Sequence, residues 1–212
     1  MSVRPPPLFF MRASRFPGGE ICGQEFFAGK AIRAKAISVI FAWLKSETMM
    51  IRKIETAEDI ARLAAMADEV WHEFFVEILS PAQIDYMVEK FQSVAALTDQ
   101  IGNQGYEYYF LEPGGQPVGF AGIRPGEGKL LLSKLYILKR FRGKGYASRA
   151  FDFLETVCRE RRLATIWLTV NRHNANSIAI YKKRGFETVR TQVADIGNGY
   201  VMDDYIMEKP VR

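Results

Sequence analysis

The sequence predicts an α/β (α+β) protein with a central mixed, mostly antiparallel sheet of about seven strands and helices on both faces. Along residues 50–209, segments with apolar residues at helical spacing alternate with short strand-like runs. Three such runs follow one another between residues 106 and 138 and are separated by Gly-containing turns, which predicts neighbouring antiparallel strands. Because helical segments lie before, between and after the strands, helices are expected to cover both faces of the sheet.

The first half of this region predicts one strand and then three helices, at residues 51–54, from 56 to about 75, from 80 onward, and 94–101. Thr56 is placed to cap the first helix, with Asp59 three residues on as an imperfect capping box. Ser80 and Pro81 begin the second helix, and Gln83 is expected to close its capping box. The sequence "GNQG" ends the third helix.

The second half predicts six more strands and two more helices. The strands are expected at residues 106–112, 117–124, 129–138, 164–170, 187–195 and 200–209. One helix begins near Gly145, with apolar residues at spacings of three and four from 147 to 158, and the other covers 174–186.

The net charge of +5 is confined to the N-terminal stretch. Residues 1–46 hold seven Lys or Arg and two acidic residues, which leaves 22 residues of each sign in 47–212. The main body is therefore neutral, and the sequence predicts no nucleic-acid partner for it.

Residues 1–49 are predicted to be an irregular or disordered extension before a domain at residues 50–212. Residues 29–47 would form a short basic helix. Three explanations are open: a targeting segment, a helix on a membrane surface, or an upstream in-frame extension with initiation at Met49 or Met50. The last is favoured because the domain pattern begins directly after these methionines.

Cysteine and histidine are too few and too scattered for a metal site. Cys22, Cys158, His72 and His173 show neither ligand spacing nor a disulfide framework, so no metal is expected. The same usage favours a reducing compartment, the cytoplasm. No apolar run reaches the roughly 20 residues of a membrane span, and no membrane partner is predicted.

The segment "KRFRGKGYASRA", residues 139–150, places two glycines among cations directly before a predicted helix. Glycine tolerates a turned backbone whose successive N–H groups point into one concavity. The N-terminus of the following helix adds unpaired N–H groups and partial positive charge. Such a loop suits a phosphate or pyrophosphate, and an ordinary turn with a solvated charge run is the alternative. The R-x-x-G-x-G pattern matches neither a P-loop nor a dinucleotide fingerprint.

A second pattern places Asn174 seven residues before Tyr181. Seven residues are about two helical turns, so the two side chains share one face of a helix. Asn174 also suits a helix N-cap, and Tyr181 suits a core position with a wet hydroxyl. The functional alternative is that the amide binds the peptide-like arm of a ligand while the phenol delivers a proton.

Together the two patterns resemble the GCN5-related N-acetyltransferase (GNAT) family, whose element order is similar along all of residues 50–209. That family has an R/Q-x-x-G-x-G/A loop after a strand that ends in an L-Y-V-like triplet, and an N-x-x-A-x-x-x-Y helix. Ser177 stands where that helix usually has Ala. Residues 71–91 are more particularly similar to the bacterial spermidine/spermine (polyamine) acetyltransferase-like branch.

The resemblance implies a site for acetyl-CoA as cosubstrate. The glycine loop would bind the pyrophosphate of acetyl-CoA. The strand triplet and the Asn–Tyr helix would contact the pantetheine arm and the thioester. The residues implied are Leu135, Tyr136, Ile137, Arg142, Gly143, Lys144, Gly145, Tyr146, Ala147, Asn174 and Tyr181. By the same resemblance, Tyr181 is the general acid that protonates the leaving thiolate.

The implied reaction is direct transfer of the acetyl group to a primary amine in a ternary complex, with a small-molecule amine such as a polyamine favoured. A lysine-like amine has a pKa of about 10.4, so a proton must be removed before it attacks. Glu107 is the candidate base, and Glu73, His72 or a relayed water are alternatives. A backbone N–H at Tyr136 or Ile137 would stabilise the charge that develops on the carbonyl oxygen.

The acceptor site is expected at Trp71, His72 and Phe75, while Phe74 and Tyr86 suit either that site or the core. A protein amine is an alternative acceptor, and a homodimer is a candidate assembly. A non-catalytic acetyl-CoA-binding sensor is the alternative of another class. The phenol at residue 181 argues against a sensor, because binding alone does not need it.

Overall fold

Seven strands form a single mixed sheet within residues 49–211, which this computed structural model describes. They are β1 (Met49–Lys53), β2 (Glu107–Pro113), β3 (Gly119–Pro125), β4 (Lys129–Ile137), β5 (Thr165–Asn171), β6 (Glu187–Gly197) and β7 (Tyr200–Pro210). Their order is β1-β2-β3-β4-β5-β7-β6, with β4 and β5 parallel and the other neighbours antiparallel. The predicted fold class is confirmed.

Five α-helices accompany the sheet in the described part of the chain. They are α1 (Ala57–Phe74), α2 (Pro81–Gln92), α3 (Val94–Gly102), α4 (Tyr146–Glu160) and α5 (Ala175–Lys183). The five helices predicted within residues 50–209 all form, with ends that differ from the expected ones by a few residues, and the helix predicted at residues 29–47 lies outside the described residues.

Alternation along β2 shows that helices pack on both faces of the sheet. Tyr108 and Phe110 lie in a core cluster with side chains of α1 and α3. Tyr109 and Leu111, one residue out of phase, pack against α4 instead. Successive side chains of a strand point to opposite faces, so this run buries both faces at once.

The predicted N-caps form, but the capping boxes do not close. The Thr56 and Ser80 hydroxyls accept hydrogen bonds from the N–H groups of Asp59 and Gln83, at 3.1 and 3.2 Å. The Asp59 carboxylate pairs mainly with Arg52 of β1 at 2.7 Å, and its interactions with the Glu55 N–H and the Thr56 hydroxyl beside the cap are weaker. Gln83 likewise reaches a carbonyl of β7. A charged or long-range partner outcompeted the local one in each case.

The parallel pair β4–β5 is short, and this shortness shapes the middle of the sheet. The strands pair at only three positions, Lys129 with Thr165, Leu130 with Ile166, and Leu131 with Trp167. From Leu132 onward, β4 pairs with β3 alone among the described residues. A bulge at Ser133, which has no counterpart on β3, coincides with this separation. Bulges bend a strand and re-aim its side chains.

The predicted N-terminal extension lies outside the described residues, except for Met49 at the start of β1. The suggested boundary at residue 50 therefore remains a prediction.

We expect a chain that begins at Met50 to fold and to keep its full activity. It loses one residue of β1, Met49, whose register partner is Pro113, a residue with no backbone N–H to donate. Thermal unfolding of the two chains should give midpoints within about 2 °C of each other. If the shorter chain is insoluble or inactive while the full chain works, the extension is part of the domain.

Candidate active site

A cleft runs along the edge of β4 that β5 leaves free. Its volume is about 1530 Å³, and residues 132–137 of β4 and 169–171 of β5 line it. The loop after β4, the first turns of α4 and α5, and aromatic side chains of α1 complete the walls. The separation of the two strands thus opens a groove through the middle of the sheet.

The backbone of Ile137 faces this groove. The next residue, Leu138, donates its N–H to the carbonyl of Val118 on the β3 side, at 3.0 Å. Backbone groups alternate in direction along a strand, so those of Ile137 point the opposite way. Accordingly, the Ile137 carbonyl accepts a hydrogen bond from Arg142 Nε at 2.9 Å rather than from β3. A backbone N–H at Tyr136 or Ile137 was predicted to donate to the thioester carbonyl oxygen. Of the two, the Ile137 N–H is the one that points toward the groove.

Gly143 and Gly145 turn the chain from β4 into α4. Their φ angles are 78° and 79°, in the left-handed region that favours glycine. A Cβ at either position would meet nothing within 4 Å, so backbone conformation and not crowding requires the glycines. Gly145 is the N-cap of α4 and provides no side-chain hydrogen bond to it. The first N–H groups of α4 are therefore exposed beside the cleft.

Cations around this loop are held by carboxylates of α1. Arg140 pairs with Glu69 at 2.5 Å, and Arg142 pairs with Glu73 at 2.7 Å. Arg142 lines the cleft, whereas Lys144 lies over an aromatic ring of the loop and is not part of the lining. The structure thus brings Arg142 to the site and leaves Lys144 at its edge.

Asn174 caps α5 and also lines the cleft. Its Oδ1 accepts a hydrogen bond from the Ser177 N–H at 3.1 Å, as an N-cap does. The side chain is buried, and none of residues 49–211 accepts a hydrogen bond from its Nδ2. One end of the amide is therefore structural, while the other remains available to a ligand.

The Tyr181 ring packs against two phenylalanines at the end of the same cleft. Its centroid lies 6.1 Å from that of Phe151, edge-on, and 5.8 Å from that of Phe186. Burial raises the pKa of Tyr181 to about 12. The phenol therefore stays protonated through neutral and mildly alkaline pH and has a proton to donate.

Aromatic side chains from the end of α1, from the turn that follows it and from β4 form one wall of the cleft. Trp71 and Phe75 stack with centroids 4.3 Å apart, and the Tyr136 ring meets both edge-on. Trp71, Phe75 and Phe74 all line the cleft. Tyr86 does not, because its hydroxyl donates to a carbonyl of β6.

The predicted base, Glu107, lies away from the cleft. It is on the face of β2 that packs against α4, where Arg161 and the Tyr109 hydroxyl bind its carboxylate. The Arg161 guanidinium holds the pKa of Glu107 below its usual range. A carboxylate so held is a weak base on the wrong face of the sheet.

The two alternative bases are also engaged elsewhere. His72 bridges α1 and α2 through Asp68 and Asp85, with 2.9 Å between its Nε2 and the Asp85 carboxylate. These carboxylates raise the pKa of His72, and the ring does not line the cleft. Glu73 is paired with Arg142. His72 was also an expected acceptor-site residue, and there too the geometry does not support it.

Sequence reasoning missed Asp204, a carboxylate of β7 that lines the cleft. Burial, reinforced by the charge of Asp203, raises its pKa to about 6. The signal was present: period two along "YVMDDYIM" puts Asp204 on the same face as Met202 and the buried Ile206. An acid on the inward face of a strand is unusual.

Sequence reasoning also missed Lys134 of β4. Its Nζ donates to the Tyr108 hydroxyl at 2.6 Å and to Gln100 Oε1 at 3.1 Å. Burial lowers the pKa of Lys134 to about 7. Its partners come from β2 and α3, so only the folded chain brings this network together.

Most of the predicted site residues thus line one cleft, and the structure leaves five of the candidates outside it. Those in the lining are Trp71, Phe74, Phe75, Leu135, Tyr136, Ile137, Arg142, Gly143, Gly145, Tyr146, Ala147, Asn174 and Tyr181. Those outside are His72, Glu73, Tyr86, Glu107 and Lys144.

In the described range of residues, no helix is long and apolar enough to cross a bilayer. No group of three or more His, Cys, Asp or Glu side chains in that same range could hold a metal ion.

Comparison with known proteins finds the same family along the centre of the chain. The model of the acetyltransferase (GNAT) family matches residues 63–186, which include both the glycine loop and the Asn174–Tyr181 helix. An uncharacterized N-acetyltransferase from Lactobacillus delbrueckii subsp. lactis is 24% identical over 168 residues, covering 75% of this chain and 96% of the relative.

Solved structures share the fold. The PaiA N-acetyltransferase from Thermoplasma acidophilum, in complex with coenzyme A, superposes with a TM-score of 0.64 at 22% identity, covering 77% of this chain and 99% of the other. The ribosomal-protein-S18-alanine N-acetyltransferase from Escherichia coli gives a TM-score of 0.58 at 22% identity, covering 77% and 94%. The family model and the shared fold agree for the present chain. The chain therefore belongs to the acetyltransferase (GNAT) family of N-acetyltransferases.

Proposed function

We propose that this enzyme transfers the acetyl group of acetyl-CoA directly to the primary amine of a small molecule, in a ternary complex. The observation that carries the proposal is the single cleft that joins the glycine loop, the open edge of β4 and the Tyr181 phenol. In this proposal the glycine loop would bind the diphosphate, the open edge of β4 would bind the extended arm, and the phenol would donate a proton, all within one cleft.

The groups at the loop fit the cosubstrate's diphosphate. The N–H groups at the start of α4 and the left-handed glycines form a concavity that favours an anion. The free edge of β4 and the Asn174 Nδ2 would bind the amide groups of the pantetheine arm. Arg142 would have to share its guanidinium with Glu73 or leave it.

The chemical step needs charge stabilisation and two proton transfers. The Ile137 N–H points to the open edge and would stabilise the oxygen of the thioester carbonyl as negative charge develops. Tyr181 would donate a hydrogen bond and then a proton to the leaving thiolate.

The charges of the cleft bear on the acceptor. Three carboxylates line it: Arg184 pairs with Asp152, the neutral amides of Asn103 and Gln104 bind Asp99 without removing its charge, and Asp204 has no partner within residues 49–211. The lining also contains cations, at Lys90, Lys134, Lys183 and Arg184. A polyamine, expected from the sequence resemblance, carries several ammonium groups that these cations would repel, so we place a singly charged amine first and a polyamine second.

Steady release of free thiol from acetyl-CoA tests the proposed function. The acceptor panel holds 2-phenylethylamine as a singly charged amine, spermidine as a polyamine, and a lysine-containing peptide as a protein amine. Release that depends on an amine supports the enzyme. Release with the peptide alone would contradict a small-molecule acceptor.

Two finer expectations stay predictions. β6 is an edge strand that exposes Val189 and Val193, and its free edge is the one that a second copy would pair with in a homodimer. The cytoplasm, where acetyl-CoA is made available to enzymes of this kind, is the expected compartment.

We predict that Gly143→Asp abolishes acetyl-CoA binding, weakening it by about 100-fold or more. The new carboxylate would stand in the anion site, at a left-handed backbone position with open space around it. Isothermal titration calorimetry measures the affinity. Gly115→Asp is the matched control, because Gly115 also has a left-handed φ (82°) and open space but lies in the β2–β3 turn outside the cleft. Near-native affinity of Gly143→Asp would show that the loop does not bind the diphosphate.

We predict that Tyr181→Phe keeps acetyl-CoA affinity and stability but lowers kcat by roughly 10²–10⁴. The ring contacts with Phe151 and Phe186 survive, and only the hydroxyl is lost. Because the pKa of Tyr181 is raised to about 12, the phenol stays protonated up to about pH 10, and its loss should lower kcat evenly across that range. Rates at saturating substrates from pH 6 to pH 10 measure this. An unchanged kcat would remove Tyr181 from the mechanism.

A further inference from the structure

Asp204 lines the cleft from β7, which pairs with β5 on one side and with β6 on the other. Its neighbours in register are Asn171 on β5 and Gln192 on β6, both neutral and both in the lining. Met202, two residues earlier on the same face, packs with the aromatic cluster of Trp71 and Phe75. The carboxylate is thus set beside an apolar wall.

The Asp204 carboxylate has no partner in the described part of the chain. Its Oδ1 is buried and accepts no hydrogen bond, and no residue from 49 to 211 forms an ion pair with it. The titratable groups that act on it are the Asp203 carboxylate of the same strand and, from β4, the phenol of Tyr136. Neither supplies a positive charge.

An unpaired, partly buried carboxylate costs stability, and proteins usually neutralise or pair such a group. Its pKa of about 6 means that it is still mostly ionised at neutral pH. Lysine and arginine side chains also line the cleft, but none within residues 49–211 forms an ion pair with Asp204. An ionised carboxylate without a paired cation is available to the cation of a ligand. Perturbed carboxylates in clefts are common at functional sites for this reason.

We propose that Asp204 binds the ammonium group of the acceptor and takes its proton during transfer. This inference rests on the proposed function. It adds that the acceptor is a primary amine on an apolar skeleton, and that the side chains of Met202 and Trp71 would contact this skeleton. It assigns the role of base to a residue of β7 in place of Glu107.

The bound ammonium first loses one proton to the Asp204 carboxylate, which passes it to water. The neutral amine nitrogen then forms a bond to the thioester carbonyl carbon, and the C–S bond breaks. The nitrogen loses its second proton to Asp204, and the leaving thiolate gains one from Tyr181, which is reprotonated through water. The net products are the amide, free coenzyme A and one proton, and no oxidant or further reactant is needed.

Binding of 2-phenylethylamine to the enzyme with saturating coenzyme A tests the proposal directly. For the wild type we expect binding that strengthens as pH rises through about 6, because Asp204 becomes ionised there while the ligand stays an ammonium. Asp204→Asn should weaken binding at least tenfold at pH 7.5 and remove the pH dependence. No binding by the wild type, or equal binding by the variant, would overturn the proposal.

Asp203→Asn is the matched control, one residue away on the opposite face of β7, where Asp203 pairs with Arg172 at 2.8 Å. It should keep the binding and move the pH midpoint downward, because the like charge that raises the pKa of Asp204 is gone. A loss of binding equal to that of Asp204→Asn would mean that the strand, and not this carboxylate, matters.

Stability and turnover separate a functional role from a structural one. The folded-state pKa of Asp204 is raised, so its ionisation opposes folding above about pH 6, and Asp204→Asn should not lower the melting temperature at pH 7.5. With 2-phenylethylamine as acceptor, the same variant should lose at least 100-fold in kcat/KM, while Glu107→Gln keeps it. Absence of turnover by the wild type would contradict the proposed function, whereas the binding comparison tests Asp204 independently.

Discussion

The parallel β4 and β5 strands hydrogen-bond at only three positions, and the candidate site depends on this short pairing. Beyond Leu131 the strands separate, and the backbone edge of β4 that would have bonded β5 faces a groove instead. Unpaired strand edges normally attract another chain. Here the edge lies inside a cleft, so a ligand with its own amide groups is the natural partner.

The proposed anion site of the glycine loop would depend on backbone N–H groups rather than on free cations. The arginines at positions 140 and 142 are already paired with Glu69 and Glu73 of α1. These surface pairs contribute little energy individually, but they tie the loop to the helix that carries the aromatic wall. The N–H groups at the start of α4 then provide positive potential, and the N-cap, Gly145, has no side chain to accept their hydrogen bonds.

Two ionisable groups along the cleft are shifted in ways that oppose their charged forms. Lys134 has its pKa lowered to about 7, and Asp204 has its pKa raised to about 6, both mainly by burial. Lys134 is compensated by Tyr108 and Gln100, which satisfy its Nζ. Asp204 lacks comparable partners among the described residues. That difference separates a group held for structure from one available to a ligand.

The sequence by itself determined the element order, the N-caps at Thr56 and Ser80, and the family, because these depend on spacing within a few residues. It also located the glycine loop and the Asn174–Tyr181 pair, since each is a local pattern. Only the tertiary structure decided which acids face the cleft. Glu107 and Asp204 both lie on strands, but the helix packed on each face and the cross-strand partners set their environments. Arg161 binds Glu107 from 54 residues away, whereas the cross-strand neighbours of Asp204 are neutral. The periodicity of a strand predicts which face a side chain is on, but not which distant residues will lie next to it.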